Sequence, residues 1–280
     1  MQYSFVDRFK MFALQHRKGT VIFFTCLLIG VILNLVRVSY SERMAIENNS
    51  FDEIQSLIVQ IKEKDRDAYN KYNAVKIEKE TKGIDISSWQ GDINWEKVKN
   101  SDIDFVMIRC GLRGLTSDNI LEDSKFRYNI EQANKYDIPV GIYFFSTAIN
   151  EIEVLEEASF VLNLIKDYKI TYPVAYDFET FHKNRAEGVS DLKINKNALK
   201  FLDYIRGHGY YAILYGNQGT LNKNWNTSYL KDYDVWLAQY IDTATYDGKY
   251  SMWQYSDHGR VDGIAGYVDL DISYYDYVIK

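Results

Sequence analysis

The polarity of the chain changes character twice along its length. From Gly19 to Val36, GTVIFFTCLLIGVILNLV runs for eighteen residues without a charge and with one strongly polar side chain, Asn34. That length suffices to span a bilayer as a helix. Arg8, Lys10, Arg17 and Lys18 precede the run against Asp7 alone, whereas Arg37 and Arg43 follow beside Glu42. The positive-inside rule then makes residues 1–18 a cytoplasmic basic segment and 19–36 a transmembrane helix in the lipid, with everything later outside the cell. A cleaved signal peptide and a secreted product are the alternative, since a basic start and an apolar stretch fit both. Against cleavage, VRVSYSERMA offers only a weak small-x-small site at Ser39 and Ser41. Residues 37–81 are polar, with Ile54, Leu57, Ile58 and Ile61 at helical spacing. They predict a partly helical spacer, with a short dimerising coiled coil as the alternative.

After Lys82 the pattern turns to brief β-branched and aromatic runs: GIDIS from Gly83, DFVMIRC from Asp104, PVGIYFFS from Pro139, PVAYDFE from Pro173, YAILYG from Tyr211, VWLAQY from Val235, SMWQYS from Ser251 and VDLDIS from Val268. These predict eight strands. Helical stretches separate the early ones, at Trp95–Asn100, Glu122–Tyr136, Glu151–Tyr168 and Asp191–His208, and only brief helices around Leu221 and Leu230 fit the later gaps. Strands alternating with helices predict parallel pairing, here in an α/β fold. The best fit is a distorted or reduced (β/α)8-type barrel over residues 82–280 with few helices in its C-terminal half; an open α/β sheet is the alternative.

Composition narrows the chemistry. The chain has 280 residues, 46 % hydrophobic and 26 % charged, as in ordinary globular proteins. Its net charge of −6 argues against a nucleic-acid partner, because phosphate neutralisation needs clustered positive charge. That charge is uneven: residues 1–81 hold 12 basic and 10 acidic side chains, and residues 82–280 hold 21 and 29. Two Cys, Cys26 and Cys110, allow neither a disulfide scaffold nor a thiolate metal site, and four scattered His without HExxH argue against a zinc hydrolase. Tyr is abundant, with 24 residues, and it combines a flat apolar face with a hydrogen-bonding tip.

Acids stand at positions where strands should be apolar. In PVAYDFE, alternation puts Ala175, Asp177 and Glu179 on one face and Val174, Tyr176 and Phe178 on the other. With the large apolar set packed on helices, the two carboxylates point inward at the strand's C-terminal end, about 7 Å apart at the backbone, where barrel enzymes place their chemistry. Mutual repulsion and desolvation are expected to raise one pKa and leave the other low. Acid catalysis on a glycosidic bond needs such a proton donor and anion; a pair of solvated acids at a loop start is the alternative. Asp85 in GIDIS and Asp269 and Asp271 in VDLDIS repeat the theme, and closing a barrel brings first and last strands together.

In order, KGIDISSWQGDINWEKVK, FVMIRCG, VGIYFFSTA, YPVAYDFE, ILYGN, VWLAQY, MWQYS and GRVDGIAGYVDLDIS resemble family 25 glycoside hydrolases, the N-acetylmuramidase lysozymes of bacteria and phages. The likeness covers about Lys82 to Tyr274. It implies cleavage of the β-1,4 bond between N-acetylmuramic acid and N-acetylglucosamine in peptidoglycan, with no metal or other cofactor. By resemblance Glu179 is the proton donor and later the base, and Asp177 is the anion that attacks the anomeric carbon or holds the 2-acetamido group. Asp85 and Asp269 then hold the pair's protonation states and bind sugar. In the matched motifs, Tyr143, Phe145, Tyr215, Trp236, Tyr240, Trp253 and Tyr255 offer stacking faces for pyranose rings, with Gln239 and Gln254 as polar neighbours and Trp89 and Gln90 as further candidates.

The chain departs from its relatives in two places. Many of them have an aromatic-His-aromatic triplet where this chain has Tyr143, Phe144 and Phe145, and their closing motif often reads GNVDLN where Tyr267 and Asp271 stand here. Alternation turns Phe144 away from its two neighbours, so the missing His is tolerable, and Asp271 either alters a neighbouring pKa or points outward. The reading is a membrane-tethered wall hydrolase that opens the wall locally, with an unidentified cell-envelope machine as a possible partner. A non-catalytic wall-binding protein on the same fold and a hydrolase of another amino-sugar polymer are the alternatives.

Overall fold

The computed structural model describes residues 75–179, 184–225 and 230–277. The expected cytoplasmic segment, the membrane span at 19–36 and all but the end of the spacer lie outside the described residues. So do most residues just before Leu230. Among the described residues no helix is long and apolar enough to cross a membrane.

Among the described residues, nine strands form the sheet: β1 (Val75–Ile86), β2 (Phe105–Arg113), β3 (Ile120–Glu122), β4 (Val140–Ser146), β5 (Val174–Phe178), β6 (Ala212–Asn217), β7 (Asp234–Ala238), β8 (Met252–Gly259) and β9 (Val268–Asp276). Their order is β1-β9-β8-β7-β6-β5-β4-β2-β3, and β1 also pairs with β2, closing eight strands into a barrel. The open sheet is thereby ruled out. Around it stand α1 (Trp95–Lys99), α2 (Phe126–Lys135), α3 (Glu151–Ile165), α4 (Asp191–Gly207) and α5 (Gln218–Lys223).

Three features depart from the regular alternation. The last strand, β9, runs antiparallel to both β1 and β8. A parallel crossover needs a dozen or more residues, and the connection at 260–267 is shorter, so the chain folds back as a hairpin. Next, the Ile120–Glu122 stretch pairs antiparallel with the upper end of β2 as β3, and the helix expected from Glu122 begins at Phe126. Finally, β1 starts at Val75, inside the stretch read as spacer, because Val75 and Lys76 pair with Asp276 and Tyr275.

Side-chain parity separates two cores. Ile84, Ile86, Val106, Ile108, Ile142, Phe144, Val174, Tyr176, Phe178 and Leu214 face outward into the layer beneath the helices. Phe105, Met107, Ala175, Ile213, Trp236 and Met252 fill the barrel itself. Large residues there oppose absent side chains: a Cβ on Gly83 would stand 2.2 Å from the Phe105 ring, and one on Gly141 2.3 Å from Met107 Sδ. Among the described residues, apolar side chains thus fill the lower part of the barrel.

Candidate active site

Above this apolar fill a cleft of about 200 Å³ is lined by Asp85, Arg109, Tyr143, Phe145, Asp177, Glu179, Tyr215, Trp236, Gln254 and Asp269. Parallel strands β1, β2 and β4–β8 each contribute lining residues, with Asp85, Asp177 and Glu179 at or just beyond strand ends. Asp269 comes instead from the start of β9, whose reversed direction places its first residues at the same end, with Asp269 paired to Asp85. In β5 the alternation is as expected: Val174, Tyr176 and Phe178 lie in the outer layer, and Asp177 and Glu179 face the cleft.

Gln254 organises one wall. Its Nε2 donates to Asp85 Oδ2 at 2.6 Å and to Asp269 Oδ2 at 3.3 Å, while its Oε1 accepts from the hydroxyls of Tyr215 and Tyr240 at 2.9 and 3.0 Å. Trp236 stands edge-on to both Tyr143 and Tyr215, and its indole N–H donates to Asp271 at 2.8 Å. Asp177 is 5 % exposed, and its Oδ1 has no hydrogen-bond partner among the described residues.

The sequence holds no direct hint of the cleft's cation. Arg109 donates through Nε to buried Asp123 at 2.8 Å and through Nη2 to Ser88 at 3.2 Å. Strand parity was the available signal, because Phe105, Met107 and Arg109 alternate with the outward-facing Val106, Ile108 and Cys110. A register shift between Arg109 and Gly111 marks a bulge at this point, and bulges re-aim side chains beside functional sites.

Burial, more than any single neighbour, sets the acidities. It pushes the Asp177 carboxyl well above the usual range, Glu179 and Asp85 push it further, and Arg109 pulls it back. Glu179 is raised by burial and then by Asp269. Asp85 is raised well above by burial and by Asp269, with the Gln254 bond opposing. Asp269 rises to about 6 through burial and the charge of Asp257, with His258 opposing. The expected split between one raised and one ordinary carboxyl is therefore replaced by a shared elevation. Arg109 opposes the rise at Asp177 and Asp85 and does not act on Glu179.

Several expected sugar contacts lie elsewhere. Alternation in β8 turns Met252 and Gln254 inward, so Trp253 and Tyr255 stand on the outer layer, with Trp253 Nε1 bonded to the Gln239 carbonyl. The Gln239 side chain is engaged by Gln218 and Thr245 beyond the end of β7. Tyr240, half exposed, touches the cleft wall through its hydroxyl. Gln90 caps the 3-10 turn Ser88–Gln90 by accepting from Ser87 N–H, while Trp89 on that turn is 84 % exposed.

A barrel cleft that gathers four carboxyls around one guanidinium defines an acid/base site, with the chemistry of proton transfer to and from oxygen. The sequence profile of Glycosyl hydrolases family 25 matches residues 84–264, and the chain belongs to that family. It is 31 % identical over 191 residues to the autolytic lysozyme of Clostridium acetobutylicum, spanning 68 % of this chain and 55 % of that one. Among solved structures it resembles the modular autolysin LytC of Streptococcus pneumoniae, solved in complex with a synthetic peptidoglycan ligand. The TM-score is 0.62 at 28 % identity, over 71 % of this chain and 47 % of that one. A family 25 glycosyl hydrolase of Bacillus anthracis shares the fold at 24 % identity and a TM-score of 0.59, over 69 % and 88 %. The chain spans about half the length of the first two proteins.

Proposed function

We propose that the chain is a peptidoglycan hydrolase of the muramidase type, cleaving the β-1,4 bond between N-acetylmuramic acid and N-acetylglucosamine. The observation that carries this reading is the inward pair Asp177 and Glu179 in the barrel's cleft, set among two further acids and one cation. A wall-binding protein without turnover has no need of a proton donor beside an anion.

Glu179 is the group to protonate the leaving oxygen. Burial and Asp269 raise its pKa, so it keeps its proton at a pH where an ordinary glutamate has lost it. Asp177, on the Arg109 side, meets the positive charge that develops at the anomeric carbon, either by direct attack or by holding the attacking 2-acetamido group. Glu179, then ionised, takes the proton of the incoming water. Tyr143, Phe145, Tyr215 and Trp236 supply the apolar walls against which a pyranose ring can lie. The apolar run at 19–36 extends the proposal to tethering at the outer face of the cell membrane.

The full chain in detergent, incubated with peptidoglycan, is expected to release glycans with muramic acid at the new reducing end. N-acetylglucosamine ends or peptide fragments alone overturn the reading. Glu179→Gln should lower release by about 10²–10⁴-fold, the usual contribution of a general acid, with wall binding retained. Protease added to intact cells should remove the barrel if residues 19–36 anchor it.

A further inference from the structure

Asp271 stands on β9 two residues beyond Asp269, on the same face but one layer deeper, where it pairs with Gly83 while Asp269 pairs with Asp85. Its exposure is 0 %, and it lies inside the barrel, below the cleft. Its Oδ1 accepts the Trp236 indole N–H at 2.8 Å, and its Oδ2 is buried with no N–H or O–H donor among the described residues. The carboxyl it touches is Asp85, within hydrogen-bond reach. Arg109, the cation of the cleft, is committed to Asp123 and Ser88.

Donor counting assigns the proton. An ionised carboxylate only accepts, so two of them in hydrogen-bond contact require a proton on one. Indole N–H only donates, which makes Asp271 Oδ1 an acceptor and leaves Oδ2 to carry hydrogen. Asp85 Oδ2 already accepts from Gln254 at 2.6 Å, so an ionised Asp85 is satisfied from both sides if Asp271 donates. We propose that Asp271 is a neutral carboxylic acid whose Oδ2–H is donated to Asp85, and that it serves as a positioning residue keeping Asp85 ionised and oriented at the cleft.

The surroundings agree with the neutral form. Asp271 is faced by Asp85 from β1, by Asp269 on its own strand, by Trp236 from β7 and, across the barrel wall, by Tyr255 from β8; Arg109 of β2 reaches it only through Asp85. Burial and the acids Asp85 and Asp269 all push its carboxyl well above the ordinary range. Two carboxyls sharing one proton titrate as a pair, in two macroscopic steps. The second step, loss of the shared proton, then sets an alkaline limit for Asp85's orientation.

The inference rests on the muramidase reading only in its kinetic arm. In the full chain labelled with carboxyl ¹³C-aspartate, the resonance missing from Asp271→Asn identifies Asp271. It is expected to stay in the protonated position through neutral pH, and an ordinary titration complete below pH ~6 overturns the proposal whether or not glycan is cleaved. In the kinetic arm, Asp271→Asn carries an amide donor that cannot ionise and should move the alkaline limb of the pH–rate profile to higher pH. Asp271→Leu removes the donor and should lower kcat about tenfold, as for a lost hydrogen bond to a charged group, with KM little changed. Identical pH profiles for the Asn and Leu variants would refute the positioning role. Should the Leu variant fail to fold, the resonance and the Asn profile still decide.

Discussion

Replacing Arg109 by Met removes the one guanidinium in the cleft and leaves Asp123 without its countercharge. The Asp123 side chain is fully buried; it accepts Arg109 Nε at 2.8 Å, the Ser88 N–H at 3.1 Å and the Lys125 N–H at 3.0 Å. Breaking a buried ion pair from one side costs about 3–5 kcal/mol. The two backbone donors that remain favour the lower end, about 3 kcal/mol. At roughly 2–4 °C per kcal/mol for a domain near 200 residues, Tm should fall by roughly 6–12 °C. Calorimetry on Arg109→Met, Asp123→Asn and the double variant measures this. The double variant should be more stable than the sum of the single losses implies, because neither residue leaves the other stranded. Activity separates from stability here: Arg109 lowers the pKa values of Asp177 and Asp85, so its loss should move the acidic limb of the pH–rate profile to higher pH in Arg109→Met and in the double variant alike. A fall in Tm under 2 °C, or strictly additive losses, would refute the pairing argument.

Asp269→Asn should raise Tm at pH 8 and leave it unchanged at pH 3, below the ordinary value of its carboxyl, measured by a calorimetric pH series. The sign follows from its folded pKa of about 6 against an ordinary value of 3.8: the protonated form suits the fold, so Asp269 costs stability only as pH rises through that range. Gly83→Ala should destabilise the barrel by about 1–3 kcal/mol or more in a denaturant titration, since the added methyl meets the Phe105 ring, itself stacked on Tyr172 at 4.3 Å; an unchanged midpoint would show that the ring can yield.

Strand parity carried most of what could be read beforehand. The β5 run declared its own orientation, because three large apolar residues on one face leave Asp177 and Glu179 no other direction. The same rule turns Gln254 inward and Trp253 and Tyr255 outward, yet side-chain chemistry suggested sugar contacts for all three, as stacking faces for the two aromatics and as a polar neighbour for Gln254; a side chain's type says nothing about its face. Arg109 was equally open to parity, but a lone arginine at a strand end resembles an ordinary exposed cation. The direction of β9 was beyond any strand pattern, since it is decided by the shortness of the 260–267 connection. Its reversal carries Asp269 to the cleft and Asp271 beneath it. The shared elevation of the pKa values depends on how deep the carboxyls lie, which spacing along the chain does not encode.

The early start of β1 bears on how the molecule is held. β1 climbs from Val75 toward Asp85, so the chain enters at the floor of the barrel and the cleft opens at the opposite end. A pull on the chain ahead of Val75 is therefore applied at the floor of the barrel and not at the mouth of the site. Tension on the tether would run along β1 and be opposed by its antiparallel bonds to β9, the two strands that also bring Asp85 and Asp269 together. Tension on β1 and a well-formed acid pair are therefore mechanically linked.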